Sequence, residues 1–214
     1  MAERATGAEE KRRVILDAAA RVFARKGFHT SRVGDIAEEA GVAHGLLYHY
    51  FSSKDEVLDT IFREHWETLL ARIHDVEQSE APAVDQLREV AAILLRGWLS
   101  EPEVVTVVVR EIARSPQVSE RVEELVRPIG AIRRIIEQGR RSGEFRADLD
   151  ADTAAIVFYG GIDELVSGWV LGRIAGDAAA VADAERHVVE LLTTGLAAAA
   201  DELREARGAD VSAR

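Results

Sequence analysis

Four rings fall within seven residues of the stretch "VAHGLLYHYFSSKDEVL" (42–58): His44, Tyr48, His49 and Tyr50, followed by Ser52, Ser53 and Lys54. Imidazoles can hold a metal ion or move a proton. His44 and His49, however, are five apart, about 140° around a helix, and cannot reach one ion from one face; the useful spacings are three and four. No metal site is therefore expected. Catalytic patterns are also missing. The chain has no G-x-S-x-G, no H-E-x-x-H, no phosphate-cradling glycine loop and no G-x-G-x-x-G, and its six histidines are scattered. With no cysteine, disulfides, thiolate metal sites and a thiol nucleophile are excluded. What remains for these rings is packing or contact with another polymer. Tyr50, nearer the Leu47 side, is the ring expected to pack.

The elements that must carry these residues read as helices. Over 9–26, Ile15, Ala18, Ala19, Val22 and Phe23 form one apolar stripe, which Gly27 ends. Ser31 fits the N-cap of a short helix, Val33 to Ala40, closed by Gly41. After a Gly-Val-Ala turn, His44 to Phe51 makes a third helix. Leu47 and Phe51 face inward on it, while His44 and Tyr48 share an adjoining face with Gly45 and His49 beside them. Ser52 or Ser53 then caps a long fourth helix to about His74. Two helices joined by a glycine turn describe a helix-turn-helix, whose second helix enters a major groove of double-stranded DNA.

Net charge opposes such a partner, since the 214 residues carry −11. Its distribution does not. Residues 1–54 hold nine Lys/Arg against seven Asp/Glu, a balance of +2, which leaves −13 on the other 160. Binding to phosphates depends on local charge, so an acidic body does not forbid it. The charged N-terminus is unlike a signal peptide, and no apolar run reaches the roughly 18 residues of a membrane helix. A cytoplasmic protein is the expectation.

The body reads as five further helices: Pro82 to Leu99, Pro102 to Arg114, Pro116 to Gly143 with a bend at Pro128, Asp150 to Arg173, and Ala178 to about Arg207. Prolines 82, 102 and 116 stand at element starts, where proline is tolerated. "VVTVVV" (104–109) has strand-like branching but no partner strand, so it is assigned to helix. In "FYGGIDELVSGWVLGR" (158–173), Phe158, Ile162, Leu165, Trp169 and Val170 form an apolar stripe broken by three glycines. Ordinary core with a dimer face, or a ligand pocket, explains it equally; Asp163 and Trp98 share that ambiguity. Arg127, Arg133, Arg134, Arg140, Arg141 and Arg146 form either a solvated face or an anchor for a phosphorylated ligand.

Residues 15–58 resemble, almost position by position, the DNA-binding domain of the TetR family of bacterial repressors. The resemblance rests on the helix-one Ala, Phe and Gly pattern and on the run from Thr30-Ser31 through Ile36-Ala37 to Ala40-Gly41-Val42. It is completed by "LYHYFSSK" (47–54). It covers about a fifth of the chain. It implies an all-α protein of about nine helices, with a helix-turn-helix domain over 1–52 and a helical effector-binding and dimerisation domain over 53–214. It further implies a homodimer through the last two helices and no cofactor. Carried onto matching positions, Thr30, Ser31, His49 and Lys54 meet phosphate, His44 and Gly45 approach bases, and Tyr48 contacts backbone or a thymine methyl. Leu46 departs from the usual threonine, serine or asparagine, and would favour thymine methyls if it touches DNA.

The body resembles the FadR-type branch, which represses fatty-acid degradation genes and responds to long-chain acyl-CoA. The matching pieces are "EIARSP" (111–116), "RSGEFRADLD" (141–150) and "GGIDELVSGWV" (160–170). This branch implies effector contacts from Trp98, Arg114, Phe158, Ile162, Asp163 and Trp169. The function expected is that of a repressor released from a palindromic operator by an apolar effector that tilts the fourth helix. A different class stays open: a lipid or acyl-carrier binding protein, or an enzyme, whose helical head contacts proteins.

Overall fold

A computed structural model describes residues 2–111 and 122–191. Nine helices occur among the described residues, and no strand: α1 (Ala2–Lys26), α2 (Val33–Ala40), α3 (His44–Tyr50), α4 (Lys54–Glu77), α5 (Ala83–Ser100), α6 (Pro102–Glu111), α7 (Val122–Ser142), α8 (Ala151–Val170) and α9 (Ala178–Glu190). The all-α expectation holds. No helix among the described residues is long and apolar enough to cross a membrane.

The chain gathers into two compact units. One comprises 1–68 and 100–124, the other 69–99 and 125–214. In the first, α1 packs on α2 and on α6, and α2 packs on α3. Ile15, Val22, Phe23, Ile36, Leu47 and Val57 are buried there, and Phe23 meets Phe28 edge-on with ring centroids 5.2 Å apart. Each such side chain contributes about 1.5–3 kcal/mol by leaving water. In the second unit the core holds Ile73, Leu95, Ile132, Ile135, Phe158, Ile162 and Val189, and α8 packs on α9.

Glycines end the helices where expected. Lys26 is followed by Gly27 at φ 83°, and Ala40 by Gly41 at φ 65°, left-handed values that cost a side chain energy. "VVTVVV" is helical in α6, whose Val105, Val107 and Val108 are buried. Packing of one face outweighs β propensity where no strand is available to pair. α7 runs through Pro128, and α8 starts from Asp150, whose carboxylate accepts the Thr153 N–H at 2.8 Å.

Some expectations shift. The N-cap of α2 is Arg32, not Ser31. The Ser31 hydroxyl instead donates to the Phe28 carbonyl at 2.7 Å, and the Asp35 carboxylate reaches back to accept the Arg32 N–H at 2.8 Å. The fourth helix runs to Glu77 rather than His74. The expected ends of the second and fifth body helices, the start at Pro116, and Arg114 lie outside the described residues.

Candidate nucleic-acid interface

The turn between α2 and α3 is set by two hydrogen bonds. The Gly41 N–H donates to Glu38 O at 3.1 Å and the Val42 N–H to Ala37 O at 3.0 Å, closing α2 with a Schellman pattern. α3 then buries Leu47 completely, with Phe51 2% exposed just beyond it. Those anchors decide what the opposite face presents. Tyr48 is 51% exposed, and His44, Gly45 and His49 are exposed beside it. The His44 and Tyr48 rings stand edge-on, centroids 5.3 Å apart, and the His44 ring lies against α2 at Gly34. Tyr50 is half-buried, as expected of the packing ring, and so is Leu46. No group of three metal-ligating side chains occurs among the described residues.

Thr30, Ser31 and Lys54 come together at the α1–α2 turn and are already engaged there. The Thr30 hydroxyl donates to the Lys26 carbonyl and, at 3.2 Å, to Gly27 O; Ser31 is buried. The Lys54 ammonium donates to Phe28 O at 2.6 Å and Ser31 O at 2.9 Å, and lies 4.4 Å from the centre of the Phe28 ring. Lys54 therefore ties the start of α4 to the turn before α2. Ser53 caps α4 by accepting the Glu56 N–H at 3.1 Å.

Much of the basic head is paired with acids at the surface. Glu39 accepts from Arg21 and Arg25, each at 2.9 Å, and Asp35 from Lys26 at 2.8 Å. Arg21 first and Arg25 second hold the Glu39 carboxyl below its usual range; Lys26 and then the Arg32 N–H do the same for Asp35. Arg32, at the start of α2, keeps an exposed side chain. Composition counts it only as charge, whereas its position beyond Thr30 and Ser31 puts a cation at the start of α2.

Among the residues expected at an effector, Phe158, Ile162 and Trp169 are buried on one stripe of α8. Trp98 and Trp169 meet across Gly176: the Trp98 Nε1–H donates to Gly176 O at 2.8 Å, and a Cβ on Gly176 would lie 2.7 Å from Trp169. Asp163 stands apart on the outward side, with enough protein around its carboxyl to raise it above the ordinary range, Glu164 adding to the effect. One turn back, burial pushes the Tyr159 phenol up to about 12, with Asp163 contributing. The arginines of α7 mostly serve the fold: Arg134 pairs with Glu77, Arg140 donates to Ala147 O at 2.8 Å, and Arg141 to Glu137 O at 3.2 Å.

Comparison with known proteins agrees with this geometry. Residues 15–61 match bacterial regulatory proteins of the tetR family, and 62–195 match the C-terminal region of YsiA-like protein. The fatty acid metabolism regulator protein of Bacillus subtilis is 30% identical over 184 residues, covering 85% of this chain and 93% of that protein. The chain belongs to the TetR family. As a TetR-family regulator it is not an enzyme, and the enzyme alternative falls, because both regions match regulators. The repressor KstR2 of Mycobacterium tuberculosis is 30% identical over 70% of this regulator and 77% of its own length. The structure of B. subtilis FadR with stearoyl-CoA superposes with a TM-score of 0.73 at 30% identity, covering 85% of this chain and 97% of that one. FadR of Bacillus halodurans gives 0.74 at 26%, covering 87% and 96%.

Proposed function

We propose that this TetR-family regulator is a homodimeric repressor that reads a palindromic operator through α3 and is released by long-chain acyl-CoA. The observation that carries the DNA half is the outward His44–Tyr48 pair on a helix anchored by buried Leu47 and Phe51. His44 and Gly45 meet base edges, Tyr48 a thymine methyl or the backbone, and Leu46 a methyl if it reaches one. Thr30, His49 and Arg32 face phosphate. Ser31 supports the turn, and Lys54 contributes its remaining N–H. Two such tips about 34–36 Å apart span successive major grooves.

The dimer face is assigned to α8 and α9. Ile156 and Val157 are 58% and 56% exposed on α8, beside Gly160 and Gly161, a combination that suits close helix approach. The effector half rests on FadR of B. subtilis, which was solved with stearoyl-CoA. Phe158, Ile162, Trp98 and Trp169, all in one unit, supply apolar lining. α4 is uninterrupted from Lys54 to Glu77, so an effector that favours one position of it shifts the operator-binding population by its differential affinity.

Fluorescence anisotropy with the promoter of the regulator's own gene tests both halves. Binding that weakens steeply with salt and is reversed by stearoyl-CoA is expected. Tight binding that ignores stearoyl-CoA removes the effector half, and no binding removes the repressor reading.

A further inference from the structure

α6 lies in the region matched to the YsiA-like C-terminal segment, yet it packs on α1 in the same unit as the DNA-reading helices. Its last two described residues reach the corner that sets α2. Arg110 Nη1 donates to Ala24 O at 2.8 Å, in the last turn of α1, where carbonyls lack helical partners and a cation is favoured. Glu111 is only 4% exposed. Its Oε2 lies 3.8 Å from His29 Nε2 and has no hydrogen-bond partner among the described residues. Lys54 holds the same corner from α4, through Phe28 O and Ser31 O. The turn between α1 and α2 is thus gripped from two sides.

Glu111 is an odd choice for stability. A buried carboxylate with an unpaired oxygen is costly, and an isosteric neutral group relieves that cost. An exposed imidazole at 3.8 Å offsets it only in part. Its placement makes sense if the position of the turn, rather than the stability of the unit, is what the contact serves.

We infer that Arg110 and Glu111 are positioning residues for operator binding: through Ala24 and His29 they fix the α1–α2 turn, and with it the angle at which α2 presents α3. The inference rests on the operator reading above.

The test uses full-length Glu111→Gln, Arg110→Met and Arg110→Lys, each measured for melting temperature, operator affinity and amide exchange across residues 27–40. Glu111→Gln should melt at or above the wild-type temperature yet bind operator about 2- to 5-fold more weakly, the range of one partly exposed ion pair. Arg110→Met should lose a similar factor and exchange faster at 27–40, while Arg110→Lys, which keeps a cationic donor, should recover most of both. A purely structural role would move affinity and melting temperature together. Wild-type binding with all three variants equally tight or tighter overturns the inference alone. Wild-type protein that ignores its operator sinks the operator reading and the inference with it.

Discussion

The imidazole of His44 meets the phenol ring of Tyr48 edge-on, with planes 63° apart, on the outward side of α3. Each ring limits the rotamers of the other, so the pair is partly ordered before any partner arrives. Tyr48→Ala removes one ring from an exposed site and should change stability by no more than about 0.5 kcal/mol. Operator binding should weaken by about 1–3 kcal/mol, the range of a specific groove contact. Tyr48→Phe keeps the ring contact and isolates the hydroxyl. Anisotropy titrations beside thermal melts check this, and undiminished affinity in Tyr48→Ala would remove Tyr48 from the interface.

Lys54 has two employments to separate. Its hydrogen bonds to Phe28 O and Ser31 O make it part of the scaffold, and charged hydrogen bonds contribute about 1.5–3 kcal/mol each at most. Lys54→Met should lower the melting temperature, unlike Tyr48→Ala. If its remaining N–H also meets phosphate, the slope of log affinity against log salt should fall by about one. A lower melting temperature with an unchanged slope would assign Lys54 to the scaffold alone.

Local signals made much of this fold legible. Gly27 and Gly41 marked helix ends because only glycine accepts those backbone angles cheaply, and Leu47 and Phe51 marked the inner face of α3 by their spacing. The cap of α2 misled, because serine is a good cap in isolation. Here Ser31 turns its hydroxyl back to Phe28, and the carboxylate of Asp35 does the capping. Glu111 beside His29, and Gly176 between two tryptophans, join residues about eighty positions apart, beyond the reach of any periodicity. The branched run of α6 was assigned correctly only through the absence of a partner strand.

Gly176 is a packing prediction. A Cβ there would lie 2.7 Å from both Cβ and Cγ of Trp169 and 2.8 Å from Trp98 Nε1, so two bulky side chains would have to give. Gly176→Ala should destabilise by about 1–3 kcal/mol, as overpacking does. It should also shift the tryptophan emission, since Trp98 and Trp169 are the rings displaced. A melt and an emission spectrum of the variant suffice, and unchanged values in both would contradict the described turn.

Acid should loosen the reader before it unfolds the remainder of the chain. The Asp35 and Glu39 carboxyls titrate below their ordinary values of 3.8 and 4.5, because Lys26, Arg21 and Arg25 stabilise the charged forms. A group whose folded value is depressed adds stability that is fully present above its unfolded value and is lost as pH falls through the folded one. The contribution of these pairs should therefore be intact at neutral pH and fade below about pH 4.5. Both carboxylates are solvent-screened, so the effect is modest. Amide exchange in α2 measured from pH 6 down to pH 3.5, corrected for intrinsic rates, should show protection falling at the acidic end. Glu39→Gln should flatten that fall, because the variant has no proton to take up at that position. An equally steep loss in Glu39→Gln would mean that the link from α1 to α2 through Glu39 does not govern the acid response.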